Sequence, residues 1–142
     1  MKNSVEVKFK AISENTAFAR NLVASFILPL NPSVEEVNDI KTAVSEAVSN
    51  VIVHAYPDTT GYITMKIKTS NNNVSISISD NGIGIGDVER ALTPFYTSKP
   101  DQERSGMGFT IMDSFMDNLE VKNNKSGVTV VMSKDIENEM VV

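Results

Sequence analysis

Ile63, Met65 and Ile67 alternate with Thr64, Lys66 and Lys68, and Val74, Ile76 and Ile78 alternate with Ser75, Ser77 and Ser79. A period of two puts successive side chains on opposite faces of a strand, so each run makes one apolar and one polar face. Between the runs stand Ser70, Asn71, Asn72 and Asn73, all turn formers. The pattern predicts an antiparallel hairpin with one wet face, and its other face must be covered by a second layer.

Helical patterns elsewhere supply that layer. From Glu14 to Leu28, Phe18, Leu22 and Phe26 recur every four positions with Ala19, Val23 and Ile27 beside them. Ser13 is placed to cap this helix, and Arg20 falls off its apolar stripe. Pro29 and Pro32 interrupt it, after which Ser33 and Glu36 read as a capping box ahead of Val37, Ile40, Val44, Ala47, Val48 and Val51. A second helix is therefore expected from about Val34 to Ala55, ended near Pro57. Shorter helices are expected around Val88 to Leu92 and from Phe109 to Met116. Val5, Val7 and Phe9 predict a first strand, while Leu119, Val121 and the run Val128 to Met132 predict a closing strand pair around Asn123-Asn124-Lys125. At 142 residues there is room for one compact domain. The expected class is α+β: a two-layer α/β sandwich with a mixed, mostly antiparallel sheet and helices on one face. It should occupy residues 1–134, with a frayed tail at 135–142.

Composition removes whole classes of chemistry. The absence of Cys excludes disulfides, thiolate metal sites and cysteine nucleophiles, and a lone His excludes a multi-His metal cage. The net charge of −5 has the wrong sign for gripping nucleic acid or anionic lipid through the bulk field. No window approaches a membrane span, and nothing directs the chain out of the cytoplasm. Catalysis would have to use carboxylates, amides, hydroxyls, Lys or Arg.

Three groups of such residues stand out. Glu46, Asn50 and His54 are four apart and share a helix stripe distinct from Ile40, Val44, Ala47 and Val51; the spacing alone favours a solvated face, with His54 capping the helix dipole. Asp80-Asn81-Gly82-Ile83-Gly84 follows a strand: a carboxylate there can accept from an exocyclic amine and glycines admit a flat ligand, while a tight Asp turn explains the same residues. Ser105-Gly106-Met107-Gly108 precedes a helix, where unpaired N–H groups favour phosphate. It is neither a Rossmann fingerprint nor a Walker A loop. The polar stretch Thr97 to Ser105, with Lys99 and Arg104, reads as a lid or as an ordinary exposed loop.

In this order the three groups resemble the N box, G1 box, lid and G2 box of the ATP-binding fold shared by gyrase, heat-shock chaperones, histidine kinases and MutL. The runs Val44-Ser45-Glu46-Ala47-Val48-Ser49-Asn50, Phe95-Tyr96-Thr97-Ser98-Lys99-Pro100 and Glu103 to Met112 are similar to those of the anti-sigma F family of endospore-forming bacteria. The resemblance covers Val5 to about Lys134. It implies an anti-sigma factor that is also an ATP-dependent protein serine kinase, with ATP and Mg²⁺ as cofactors. Its implied partners are sigma factor F and a serine-bearing anti-anti-sigma factor, and its implied state is a homodimer. Glu46 would be the general base, Asn50 the Mg²⁺ ligand, Asp80 the reader of the adenine amine, and Gly82 and Gly84 the pocket floor. Ser105, Gly106 and Gly108 would cradle phosphate, Thr129 would help at the adenine end, Arg104 would meet the anti-anti-sigma substrate, and Arg20 the sigma factor. Gly127-Val128-Thr129 departs from the family's Gly-Thr-Thr-like pattern. A histidine-kinase-like ATPase domain, or a nucleotide-gated sigma-binding module without turnover, are the alternatives.

Overall fold

A computed structural model of the chain describes residues 2–56, 60–84 and 108–137. The elements run β1 (Lys2–Lys10), α1 (Glu14–Phe26), a short 3₁₀ turn (Leu28–Leu30), α2 (Val34–Asn50), a π-helical turn (Val51–Ala55), β2 (Tyr62–Ser70), β3 (Asn73–Asp80), α3 (Gly108–Phe115), β4 (Asn118–Asn123) and β5 (Val128–Asp135). The strands form one sheet in the order β1-β2-β3-β5-β4, with every pairing antiparallel. The expected short helix around 88–92 and the lid at 97–105 lie outside the described residues.

Register turns the alternation of the sequence into rows. Val5, Ile67, Ile76, Met132 and Leu119 cross the sheet in one row, and Val7, Met65, Ile78, Val130 and Val121 in the next. A third begins Phe9, Ile63 and ends in a carboxylate, Asp80. Burying such rows is the main favourable term of the fold, each fully covered aliphatic side chain contributing about 1.5–3 kcal/mol. The helices cover this face: α2 packs against both α1 and α3, with Ile40, Ala43, Val44, Ala47 and Val48 fully buried. The opposite face carries Lys66, Lys68, Ser75, Ser77 and Ser79, none of them buried, and a Glu6–Lys66 ion pair at 3.4 Å. The hairpin reverses at Asn71 and Asn72, with Asn71 at φ 56°, a conformation asparagine tolerates.

Helix ends differ in instructive ways from the expectation. Ser33 accepts from the Glu36 N–H at 3.0 Å and Glu36 accepts from the Ser33 N–H at 2.9 Å, the full capping box. Ser13 does not cap α1, because its own backbone is already helical and its hydroxyl turns to the Glu14 carboxylate at 2.9 Å. The buried line of α1 is Ala19, Val23 and Ile27, whereas Phe18 is 45% exposed and meets Phe9 edge-on at 5.6 Å. The helix stops at Phe26, ahead of Pro29. The second helix stays α-helical only to Asn50, then widens to a π turn. At the other terminus β5 runs on to Asp135, Ile136 is buried, and the Glu137 N–H donates to Glu36 at 2.7 Å, so the fraying expected from residue 135 does not begin there.

Two serines of α2 should respond oppositely to truncation. Ser33→Ala removes a cap and should cost about 1 kcal/mol. The Ser45 hydroxyl oxygen is buried with no hydrogen-bond partner among the described residues, so Ser45→Ala should leave stability unchanged or raise it. Urea unfolding of the two variants checks this, and a loss at Ser45 comparable to that at Ser33 would mean that the hydroxyl has a partner after all.

Candidate functional site

Asp80 is in phase with Val74, Ile76 and Ile78, so the pleat of β3 turns its carboxylate to the helix-covered side, where it is 5% exposed. It is the only buried charged residue among those described. Its Oδ1 accepts from the Gly82 N–H at 2.9 Å and from the Val128 N–H at 3.3 Å; among the described residues Oδ2 accepts nothing. Desolvation pushes the Asp80 pKa above 3.8, and the two backbone donors oppose that rise. The turn reading of this aspartate therefore holds through Oδ1.

The surroundings are built by close backbone approach. Gly127 has φ 86°, and a Cβ there would overlap Asp80 itself. A Cβ on Gly82 would overlap the Ala55 carbonyl, which accepts from the Ile83 N–H at 3.0 Å. Gly82 and Gly84 face Gly127 across an open depression of about 290 Å³ that Asn123, Asn124, Lys125 and Ser126 also line.

On the helical side, Glu46 and Asn50 lie one turn apart on α2, both partly exposed, so a carboxylate and a carboxamide project from one rigid element. Gly108 opens α3 against the Asn50 side chain: a Cβ on it would lie 3.1 Å from Asn50 Oδ1 and 3.2 Å from Nδ2. The first N–H groups of α3, which have no intrahelical partner, are thereby brought beside a neutral carboxamide rather than a carboxylate. His54 falls within the π turn, outside the regular helix that carries Glu46 and Asn50.

The structure thus brings together Asn50 with Gly108, and Asp80 with Gly82 and Gly127, around the end of α2. It does not bring Thr129 to Asp80. Thr129 alternates with the buried Val128 and Val130, so its side chain lies on the helix-free face, bonded to Ser79 at 2.9 Å and Asn124 at 2.7 Å. Val128 occupies the inward position instead and offers only its N–H. Arg20 is exposed on α1. Arg104, Ser105, Gly106 and Lys99 lie outside the described residues.

Three contributors escaped the sequence reading: the Val128 N–H, the Ala55 carbonyl and the Tyr56 hydroxyl, to which the Asn81 N–H donates at 2.9 Å. The phase of Asp80 with the apolar residues of β3 was a readable signal for its burial. The two backbone groups had none.

A layer of helices lies over an antiparallel sheet, with a buried aspartate at a glycine loop and an asparagine at the end of α2 set against the start of α3. Residues 9–134 match the histidine kinase-like ATPase domain family. The anti-sigma F factor of Clostridium acetobutylicum is 49% identical over 94% of this chain and 94% of its own. That of Caldanaerobacter subterraneus is 48% identical over the same shares. The fold is similar to that of the RsbU and RsbW domains of a Mycobacterium tuberculosis protein, with TM-score 0.67 and 15% identity over 94% of this chain and 32% of that one. It is also similar to the catalytic domain of the histidine kinase ThkA, with TM-score 0.59 and 16% identity over 93% of this chain and 96% of that one. The chain belongs to the anti-sigma F factor family, within the histidine kinase-like ATPases. Membership in that ATPase family implies ATP binding.

A buried carboxylate with a raised pKa should weaken the fold. The native state holds the Asp80 proton more tightly than the unfolded chain does, so this group's contribution to stability falls as pH rises through 3.8 to the higher native value, then levels off. Asp80→Asn keeps an oxygen for both N–H groups and removes the charge. The variant should melt at or above wild type at pH 7, and its relative advantage should shrink on acidification. A variant less stable at pH 7 than at pH 4, each relative to wild type, would reverse the assignment.

Proposed function

We propose that this chain binds Mg-ATP between α2, the 80–84 loop and α3, holds sigma factor F inactive, and phosphorylates a serine of an anti-anti-sigma factor. The observation that carries this reading is the placement of Asn50 against the start of α3 with Glu46 one turn earlier on α2. Among the described residues no group of three or more His, Cys, Asp or Glu could form a metal cage. A hard divalent cation held by one carboxamide oxygen and by substrate phosphates suits such a donor set. Asn50 Oδ1 would hold Mg²⁺, whose chemistry when bound is to neutralise charge on the transferring phosphates.

Each residue has a defined task. Asp80 Oδ2, with no partner among the described residues, accepts from the exocyclic amine of adenine, while Oδ1 stays committed to the Gly82 and Val128 N–H groups. Gly82 and Gly84 let the base approach the backbone. The α3 N-terminus, with Ser105, Gly106 and Gly108, binds phosphate oxygens. Glu46 orients the substrate serine and takes its hydroxyl proton as the serine oxygen bonds to the γ-phosphorus and the β–γ bridging oxygen leaves with ADP. Thr129 is left out of this scheme because its side chain faces away.

The partners act at other surfaces. Arg20, exposed on α1, offers a planar fork of donors to a carboxylate of sigma factor F, and Arg104 in the lid receives the anti-anti-sigma factor. A homodimer would present two Arg20 side chains to one sigma factor. No described helix is long and apolar enough to cross a membrane, and a cytoplasmic setting fits both partners.

The test separates binding from chemistry. Glu46→Ala should bind Mg-ATP within about threefold of wild type while phosphorylation of the serine-bearing partner slows about 10²–10⁴-fold. Asn50→Ala should lose both. Binding is read by thermal shift with Mg-ATP, which stabilises a native state it binds, and turnover by the mass of the partner. Full phosphorylation by Glu46→Ala would remove Glu46 from the role of base. Wild type that binds ATP and restrains sigma factor without ever modifying a partner would leave a nucleotide-gated binding module.

A further inference from the structure

Tyr56 follows the π turn and is joined to two other pieces of chain. Its hydroxyl donates to the Tyr62 carbonyl at 2.8 Å and accepts from the Asn81 N–H at 2.9 Å. Its ring lies over Gly61, where any Cβ would overlap it. One residue earlier, the Ala55 carbonyl accepts from the Ile83 N–H at 3.0 Å and Gly82 packs directly on that carbonyl. The 81–83 loop therefore hangs from residues 55 and 56 by two N–H bonds and a close contact. Those residues end the same continuous helical segment that, five residues earlier, presents Asn50.

Gly82 and Ile83 of this loop line one wall of the depression that Gly127 also lines. Asn81 is exposed, so water can replace its bond to the tyrosine at little cost in stability. What water cannot replace is the fixed distance between the loop and the end of α2. π turns commonly mark such functional adjustments in a helix.

We propose that the Tyr56 hydroxyl is a positioning group for the base of the nucleotide: it locks the glycine loop to the end of the helix that carries Asn50, so that base and phosphate sites are held in one register. This rests on the nucleotide-binding reading above. The dependence should be specific to ligands that carry a base, because the phosphate end is built by Asn50 and α3 without the clasp.

Tyr56→Phe in the full chain keeps the ring over Gly61 and deletes only the hydroxyl. Mg-ATP affinity should weaken about fivefold to tenfold, the size expected for one or two neutral hydrogen bonds, and KM for ATP should rise equally. kcat at saturating ATP should stay within about twofold of wild type. Inhibition by inorganic tripolyphosphate, which has no base, should be unchanged. Unaltered ATP affinity, or equal weakening of ATP and tripolyphosphate, would overturn the proposal. Wild type that fails to bind Mg-ATP would instead overturn the nucleotide reading itself, before any variant is compared. Amide exchange in wild type tests the clasp even if the variant does not fold. The Asn81 amide should be protected and Mg-ATP should protect it further, whereas exchange at the free-chain rate with and without nucleotide would contradict the clasp.

Discussion

One carboxylate is buried where the pleat of a strand would otherwise place another valine or isoleucine. Asp80 ends a row that begins with Phe9 and Ile63, and withdrawing it from water opposes its ionisation. Two backbone N–H groups on one of its oxygens offset part of that penalty, and both demand special backbone around them. The left-handed Gly127 brings Val128 within reach, and Gly82 must press against the Ala55 carbonyl. Glycines at 82 and 127 are thus consequences of the buried charge as much as features of a ligand pocket. A sheet designed for stability alone would not carry this group, whose second oxygen accepts nothing from the described residues.

The same loop ties the sheet to α2. Through the Ala55 carbonyl and the Tyr56 hydroxyl the end of that helix is fixed to the residues following Asp80, while Asn50, one turn back, rests against the first residue of α3. Both ends of the site are therefore referenced to one helix. Strong capping at Ser33 and Glu36, the fully buried Ile40, Val44 and Val48, and the docking of Glu137 on Glu36 make that helix a firm reference. Catalytic and binding groups are held most accurately on elements whose own packing is settled.

Much of this was legible in the sequence because two periods are unambiguous. The alternation in β2 and β3 and the four-residue spacing of Ile40, Val44 and Val48 specified the layers, and Ser33 with Glu36 specified where α2 begins. Glu46 and Asn50 share a stripe of α2 as expected, while His54, expected on the same stripe, falls in the π turn. The reading failed where geometry depends on a neighbour that spacing does not encode. Ser13 has a capping residue type but a helical backbone, so nothing is left for it to cap. Thr129 has a binding residue type, but the parity of β5, set by Val128 and Val130 against the helices, turns it outward. The Tyr56 hydroxyl meets a loop 25 residues downstream, and no local pattern announces such a contact.

If the nucleotide reading is right, one continuous site runs from Asp80 to the start of α3. Mapping backbone amide shifts of the full chain during titration with Mg-ATP tests it most directly. The account predicts that Asn50, Gly82, Gly84, Gly108, Gly127 and Val128 shift together along one saturating curve, while Ser75, Ser77 and Thr129 on the helix-free face stay in place. Saturable shifts centred on that opposite face, or no shifts at millimolar nucleotide, would contradict it.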